Sequence, residues 1–358
     1  MPDQTFTPRW ASPPGDTVRD LLRKYKISES QLSSEISASA ENLENLLTGR
    51  TRITPTIADN LSHTLGGSRQ FWINRDSQYL IDLEQIEASQ RDWLRSLPLA
   101  DMVRLGWIDV RNAAEANLAT CLAFFQVKSL EEWEAVWLNL SNASATFRTS
   151  PTFQSDANAV AAWLRQGEIQ AESLTCTNSW NKEQFKHVLP EIRALSRERE
   201  PRKFLPQLQE MCRGCGVALV IVKAPKGCKA SGAARLLTPK KALIQLSFRY
   251  LSDDHFWFTF FHEVGHLLLH KGDAFIDIEG QTDSQQETEA NDYAANFLIP
   301  QEHLTRLKAA RSDVKKILRL AQELKIAPGI VVGQMQHRGI LARNRMNSLK
   351  RHFAWPIG

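Results

Sequence analysis

The sequence predicts a mostly helical α+β protein: a helical bundle at the N-terminus, a helical middle region, and a C-terminal domain that holds a small sheet. Three observations carry this. Apolar residues recur at helical spacing through most of the first 200 residues. Short β-rich runs appear only after residue 200. A long apolar helical stretch then follows, from Phe256 to His270.

The chain has 358 residues, enough for two or three domains. Hydrophobic residues make up 42% and charged residues 23%, the balance of an ordinary globular protein. No apolar run approaches the roughly 18 residues that a membrane span needs, so no membrane partner is expected. Met1-Pro2-Asp3-Gln4-Thr5 has neither a charged start nor an apolar core. No signal peptide is read there, and a cytoplasmic location is expected.

The five cysteines fit a reducing compartment. Cys212 and Cys215 form a C-x-x-C without a second pair to complete a metal site. They are read as the end of a helix turning at Gly214 and Gly216 into the strand Val217–Val222. Net charge is +4, but residues 301–358 alone carry +9, leaving −5 for the rest. Such a basic end either meets an acidic partner or is the wet face of helices.

In the N-terminal part, Val18, Leu21, Leu22 and Tyr25 mark a first helix. Ser28 caps a second, with Gln31 three residues on and Leu32 and Ile36 turned inward. A third runs from Ser39 to Thr48, burying Leu43, Leu46 and Leu47, with Gly49 after it. Thr54-Pro55 opens a fourth helix, which Gly66-Gly67 ends. Helix, short turn, helix inside a small bundle is the helix-turn-helix pattern. Leu32, Leu46-Leu47-Thr48-Gly49, Arg52-Ile53-Thr54-Pro55 and Leu65-Gly66 through Gln70–Asn74 resemble the HigA-type antitoxins and their XRE relatives, over about residues 14–85. That resemblance implies DNA contact, with Asn42, Asn45, Arg50 and Arg52 as candidates. Glu41 and Glu44 stand on the recognition helix, and residues 16–75 hold eight basic and seven acidic groups. Little attraction to phosphates is left, so any DNA binding is expected to be weak. The module either reads DNA in this way or serves packing, dimerisation or a partner such as a toxin.

Residues 86–150 read as a helical connecting region, with Ser141–Gln154 as a linker rich in Ser, Thr and Asn. The C-terminal domain is placed at 151–358. Ala242–Tyr250 reads as a second strand, with Leu243, Gln245, Ser247 and Arg249 on one face.

His262-Glu263-Val264-Gly265-His266 is an H-E-x-x-H run inside the apolar helix. Residues i and i+4 of a helix share a face, about 5–6 Å apart at Cβ, so both histidines can reach one metal ion. Glu263 lies about 100° around the helix, where it can reach a water rather than the ion. Buried imidazoles and a carboxylate in so apolar a helix are costly without a partner. A catalytic site needs a third protein ligand, and the acidic stretch from Glu287 to Pro300 can supply it.

This stretch, Glu287-Thr-Glu289-Ala-Asn291-Asp-Tyr293-Ala-Ala-Asn-Phe-Leu-Ile-Pro300, together with Phe256–His266, resembles the ImmA/IrrE family of metallo-endopeptidases, over about Gly232–Pro300 and more loosely beyond. An antitoxin-like helix-turn-helix ahead of such a domain is a familiar arrangement for that family. The resemblance implies a zincin-like metallopeptidase domain and Zn2+ as cofactor. Glu287 and Glu289 compete for the third position. In related zincins the ligand Glu is followed four residues on by Asp or Asn, which favours Glu287, with Asn291 holding a ligand imidazole from behind. Glu289 then reads as a solvated charge. Glu263 would be the general base, and Tyr250, Arg249, His270 and Tyr293 are candidates to stabilise the oxyanion. The strand 242–250 is expected to hold the substrate as an added strand. The implied activity is regulatory cleavage of a repressor or antitoxin-like protein. The rival is a DNA-binding antitoxin or regulator, alone or as a homodimer, whose metal domain senses without cutting. A purely structural metal needs no general base, so the intact Glu263 favours the enzyme.

Overall fold

The computed structural model describes residues 10–36, 38–140, 156–247, 249–270, 275–278 and 285–354. The chain divides into two compact units, residues 1–95 and 96–358. The expected linker 141–154 lies outside the described residues. The rest of the expected connecting region, from Ser96 onward, belongs to the second unit.

The first unit holds α1 (Pro14–Tyr25), α2 (Glu29–Glu35), α3 (Ala40–Leu47), α4 (Pro55–Leu65) and most of α5 (Arg69–Ser96). Local chemistry sets the starts. Ser28 and Gln31 form a reciprocal capping box, and Ser39 and Thr54 cap α3 and α4. One core joins Val18, Leu32, Leu47, Leu61 and Trp72. Gly15 lies against the Leu47 backbone, where a Cβ would overlap it, so α1 and α3 touch main chain to main chain.

The second unit begins with α6 (Leu99–Arg104), α7 (Leu118–Phe125) and α8 (Leu130–Trp133). Then come α9 (Ala157–Ser173), α10 (Lys182–Ala194) and α11 (Pro201–Arg213). As expected, α11 ends at the C-x-x-C and turns through Gly216 (φ +78°) into β1 (Val217–Ile221). Cys212 and Cys215 are buried, and burial pushes both thiols up, which suits packing rather than redox chemistry. β2 (Ala230–Thr238) and β3 (Lys241–Leu246) follow, then α12 (Asp253–Leu269), β4 (Phe275–Ile278) and α13 (Gln285–Leu298). The described chain closes with α14 (Leu304–Ala309), α15 (Val314–Leu324) and α16 (Pro328–His337) before a final extended segment.

The sheet order is β1-β3-β2-β4, with β1 and β3 parallel and the other pairings antiparallel. β3 is therefore an inner strand with both edges taken, which corrects the expectation that it receives a substrate strand. It also stops at Leu246, short of Tyr250, and the chain turns through Leu251 at φ 52°. Both faces of β3 are buried. On one, Gln245 donates to the Trp163 carbonyl at 2.7 Å and fills the space left by Gly167 of α9. α12 packs on the other.

The final segment fastens the start of α12. The Asp253 amide donates to the Arg351 carbonyl at 2.9 Å, and the Arg351 amide donates to Asp253 Oδ1 at 3.0 Å. Lys350 Nζ meets Asp254 Oδ2 at 2.6 Å, both side chains nearly buried, and Ser252 also donates to Asp254. Phe353 packs against Phe204 and Phe256. Removing one partner of a buried ion pair leaves an uncompensated charge, at about 3–5 kcal/mol. Lys350→Met should cost that much in denaturant unfolding of the second unit. Adding Asp254→Asn should recover most of the loss; a loss under about 1 kcal/mol would mean that the pair does not hold α12.

Candidate metal centre

α12 is apolar nearly all round. Phe256, Trp257, Phe260, Phe261, Val264 and Leu268 are buried in the core of the second unit. His262, Glu263 and His266 are buried as well, at 2%, 0% and 0% exposure. α13 crosses them closely. A Cβ built on Gly265 would lie 3.1 Å from Ala290 Cα, so glycine permits the approach. Glu287, one turn before Ala290, is thereby brought over the histidine face.

Three donor atoms converge there. His262 Nε2 and His266 Nε2 are 3.0 Å apart, and Glu287 places Oε2 at 3.2 Å from the first and Oε1 at 3.2 Å from the second. Among the described residues, this is the one group of three or more His, Cys, Asp or Glu positioned to hold a metal ion. Two imidazoles and a carboxylate suit a divalent ion such as zinc. Burial lowers the His266 pKa, opposed by Glu287, so the ring is neutral near pH 7 and has a lone pair to offer. Burial alone would raise the Glu287 carboxyl, but its close contacts with the His262 and His266 rings bring it down to about 2.

One proton arrangement pairs both Nδ1 atoms of His262 and His266 and both nitrogens of His270. With its proton on Nδ1, His262 donates to Asn291 Oδ1 at 3.1 Å. His266 then donates from Nδ1 to His270 Nδ1 at 3.1 Å, and His270 donates from Nε2 to Glu289 Oε2 at 3.0 Å. Gln285 donates to the other Glu289 oxygen at 2.7 Å. Both Nε2 atoms then turn their lone pairs toward Glu287. Glu289 is thus no merely solvated charge. It anchors His270, which orients His266 from behind as Asn291 orients His262.

Glu263 projects from α12 toward β2, where a Cβ on Gly232 would overlap its carboxylate. Gly232 therefore makes the space that Glu263 occupies, a role the sequence signals only as a lone glycine in a strand. Phe275 of β4 stacks on His266, with ring centroids 4.6 Å apart.

The four oxyanion candidates are engaged as follows. His270 stands on the Nδ1 side of His266, away from Glu287. Arg249 donates to the Lys229 carbonyl at 2.7 Å and lies over the Tyr250 ring. Tyr250 stacks on His255, about two helical turns before His262. Tyr293 packs on Phe297 and against Gly265 in the α12–α13 seam, with its phenol pushed up to about 12 by burial.

In the first unit, Asn42 and Arg50 are exposed and Asn45 is half-buried. Arg52 is committed to structure: its Nε donates at 2.6 Å to Asp76, whose side chain is 5% exposed. Glu44 of α3 lies 3.8 Å from Arg19.

A helix-turn-helix-type transcriptional regulator of Escherichia coli (strain K12), itself uncharacterized and named YddM, is 31% identical over 61 residues. The match covers 17% of this chain and 65% of that protein. Residues 219–333, which contain β2, β3, α12, β4 and α13, match the family model of the M78 peptidases, described as an IrrE N-terminal-like domain. The second unit of this chain thus contains an M78-type, IrrE N-terminal-like peptidase domain, and His262, His266 and Glu287 lie within it.

Proposed function

We propose that the chain is a zinc-dependent endopeptidase with a regulatory role, cutting a repressor- or antitoxin-like protein. The observation that carries the proposal is the convergence of His262, His266 and Glu287 beside a buried carboxylate, Glu263. When bound, the ion supplies Lewis acidity to a water and to the scissile carbonyl.

The chain's own residues do the rest. His262, His266 and Glu287 hold the ion, and Asn291, His270 and Glu289 fix the ring orientations. Glu263 takes the proton of the attacking water and passes it to the leaving amine, which keeps the proton count balanced. Gly232 leaves the base its position. β4 is an edge strand beside His266, so an extended substrate adds to the sheet there rather than at β3. Among the described residues no helix is long and apolar enough to cross a membrane. The similarity to a helix-turn-helix regulator supports a link to transcription, through a repressor substrate or weak contact with DNA.

Metal content tests the ligand set. The purified protein should hold one zinc per chain. Glu287→Ala should weaken zinc binding more than 100-fold, while Glu289→Ala, acting through His270, should cost no more than about 10–100-fold. The reverse ranking would move the ligand to Glu289.

A separate measurement tests the chemistry. Glu263→Gln should keep its zinc and its melting temperature, yet lose about 10²–10⁴-fold in peptide hydrolysis. If the native host shows the same protein pattern with either form under every inducing condition, the domain senses rather than cleaves. Loss of zinc in Glu263→Gln would instead make Glu263 a ligand.

A further inference from the structure

A cavity of about 470 Å³ lies beside the candidate centre, wholly within the second unit. Its floor is α12: His255 and Phe258 stand seven and four residues before His262, on the same helix face. The Phe258 ring is 6.4 Å from the His262 ring, and His337 of α16 lies over Phe258 at 5.6 Å. The cavity therefore continues the line of the metal residues at a distance of one or two residues of extended chain.

Two features say what it accepts. The first is charge. Asp254 is the single carboxylate among the lining residues, and Lys350 neutralises it at 2.6 Å. Arg343, also lining, makes no ion pair among the described residues, which leaves the wall net positive. The second is Gln334. This residue is 3% exposed, lines the cavity, and its Oε1 accepts no hydrogen bond among the described residues. A buried acceptor of this kind calls for an N–H donor from whatever enters.

We propose that the cavity is a substrate subsite for an acidic side chain close to the scissile bond, with Gln334 receiving a backbone N–H of the bound chain. The proposal rests on the peptidase reading and adds the substrate class. A peptide supplies both the carboxylate for Arg343 and the amide N–H for Gln334; a small free anion supplies only the first.

The experiment uses full-length, zinc-loaded protein and immobilised synthetic peptides that carry Glu, Gln, Lys or Ala at each position in turn. Binding is read with Glu263→Gln, and cleavage with the wild-type protein. Glu at one position should raise binding at least tenfold over Gln, and Arg343→Glu should abolish that preference or shift it to Lys. Gln334→Leu, shown folded by thermal melting, should weaken binding of all these peptides alike. Cleavage or binding without an acidic preference, or a preference that survives Arg343→Glu, overturns the subsite and leaves the peptidase intact. Acid-selective, Arg343-dependent binding with no cleavage by the wild type supports the subsite and removes the peptidase reading. Arg343-dependent binding of free glutarate or inorganic phosphate, with no peptide bound, overturns the proposal in favour of a small anion. No binding by any probe also overturns it.

Discussion

The close approach of α12 and α13 at Gly265 and Ala290 is the constraint on which the site depends. The two histidines come from one helix and the carboxylate from another, so no local geometry can assemble the set. Only when the backbones nearly touch does Glu287 reach both imidazoles at once. A side chain at 265 would push the helices apart, and polar groups that now satisfy one another would be buried alone, each at a cost of a few kcal/mol. The apolar surroundings, Phe261, Val264, Ala294 and Leu298, supply the packing that holds the helices at this distance.

The same economy governs the polar atoms around the centre. Both Nδ1 atoms of His262 and His266 and both nitrogens of His270 have a partner in a single proton arrangement. A half-satisfied network in so dry an environment would cost more than an apolar core. The outer members, Glu289 and Gln285, reach the half-exposed surface, where the negative charge is cheap to keep. The network thus carries a fixed orientation inward from water to the two Nε2 atoms that face Glu287.

Much of this was legible in the sequence, and the exceptions have physical reasons. His262, Glu263 and His266 were readable because the period of a helix fixes their relation. The helix starts at Ser28, Ser39 and Thr54 were readable because capping is local chemistry. Glu287 could be preferred over Glu289 only through a family resemblance, because composition and spacing do not say which face of α13 meets α12. The partnership of Glu289 with His270 was missed for the same reason. β2 was missed because Ala230–Thr238 is built of small residues with little β-branching, and its stability comes from neighbours on both edges. β3 was read as too long because the turn at Leu251 uses a left-handed residue that is neither glycine nor asparagine.

The fastening of α12 by residues 350–353 has a consequence in time. The amides of Asp253 and Arg351 and the Lys350–Asp254 pair join positions about a hundred residues apart. Contacts of such long range form late, because the intervening loop must first be closed. Residues 1–95 form a unit of their own and emerge first during synthesis. The helix that carries the histidines, by contrast, is joined at its start to a segment about a hundred residues further along the chain.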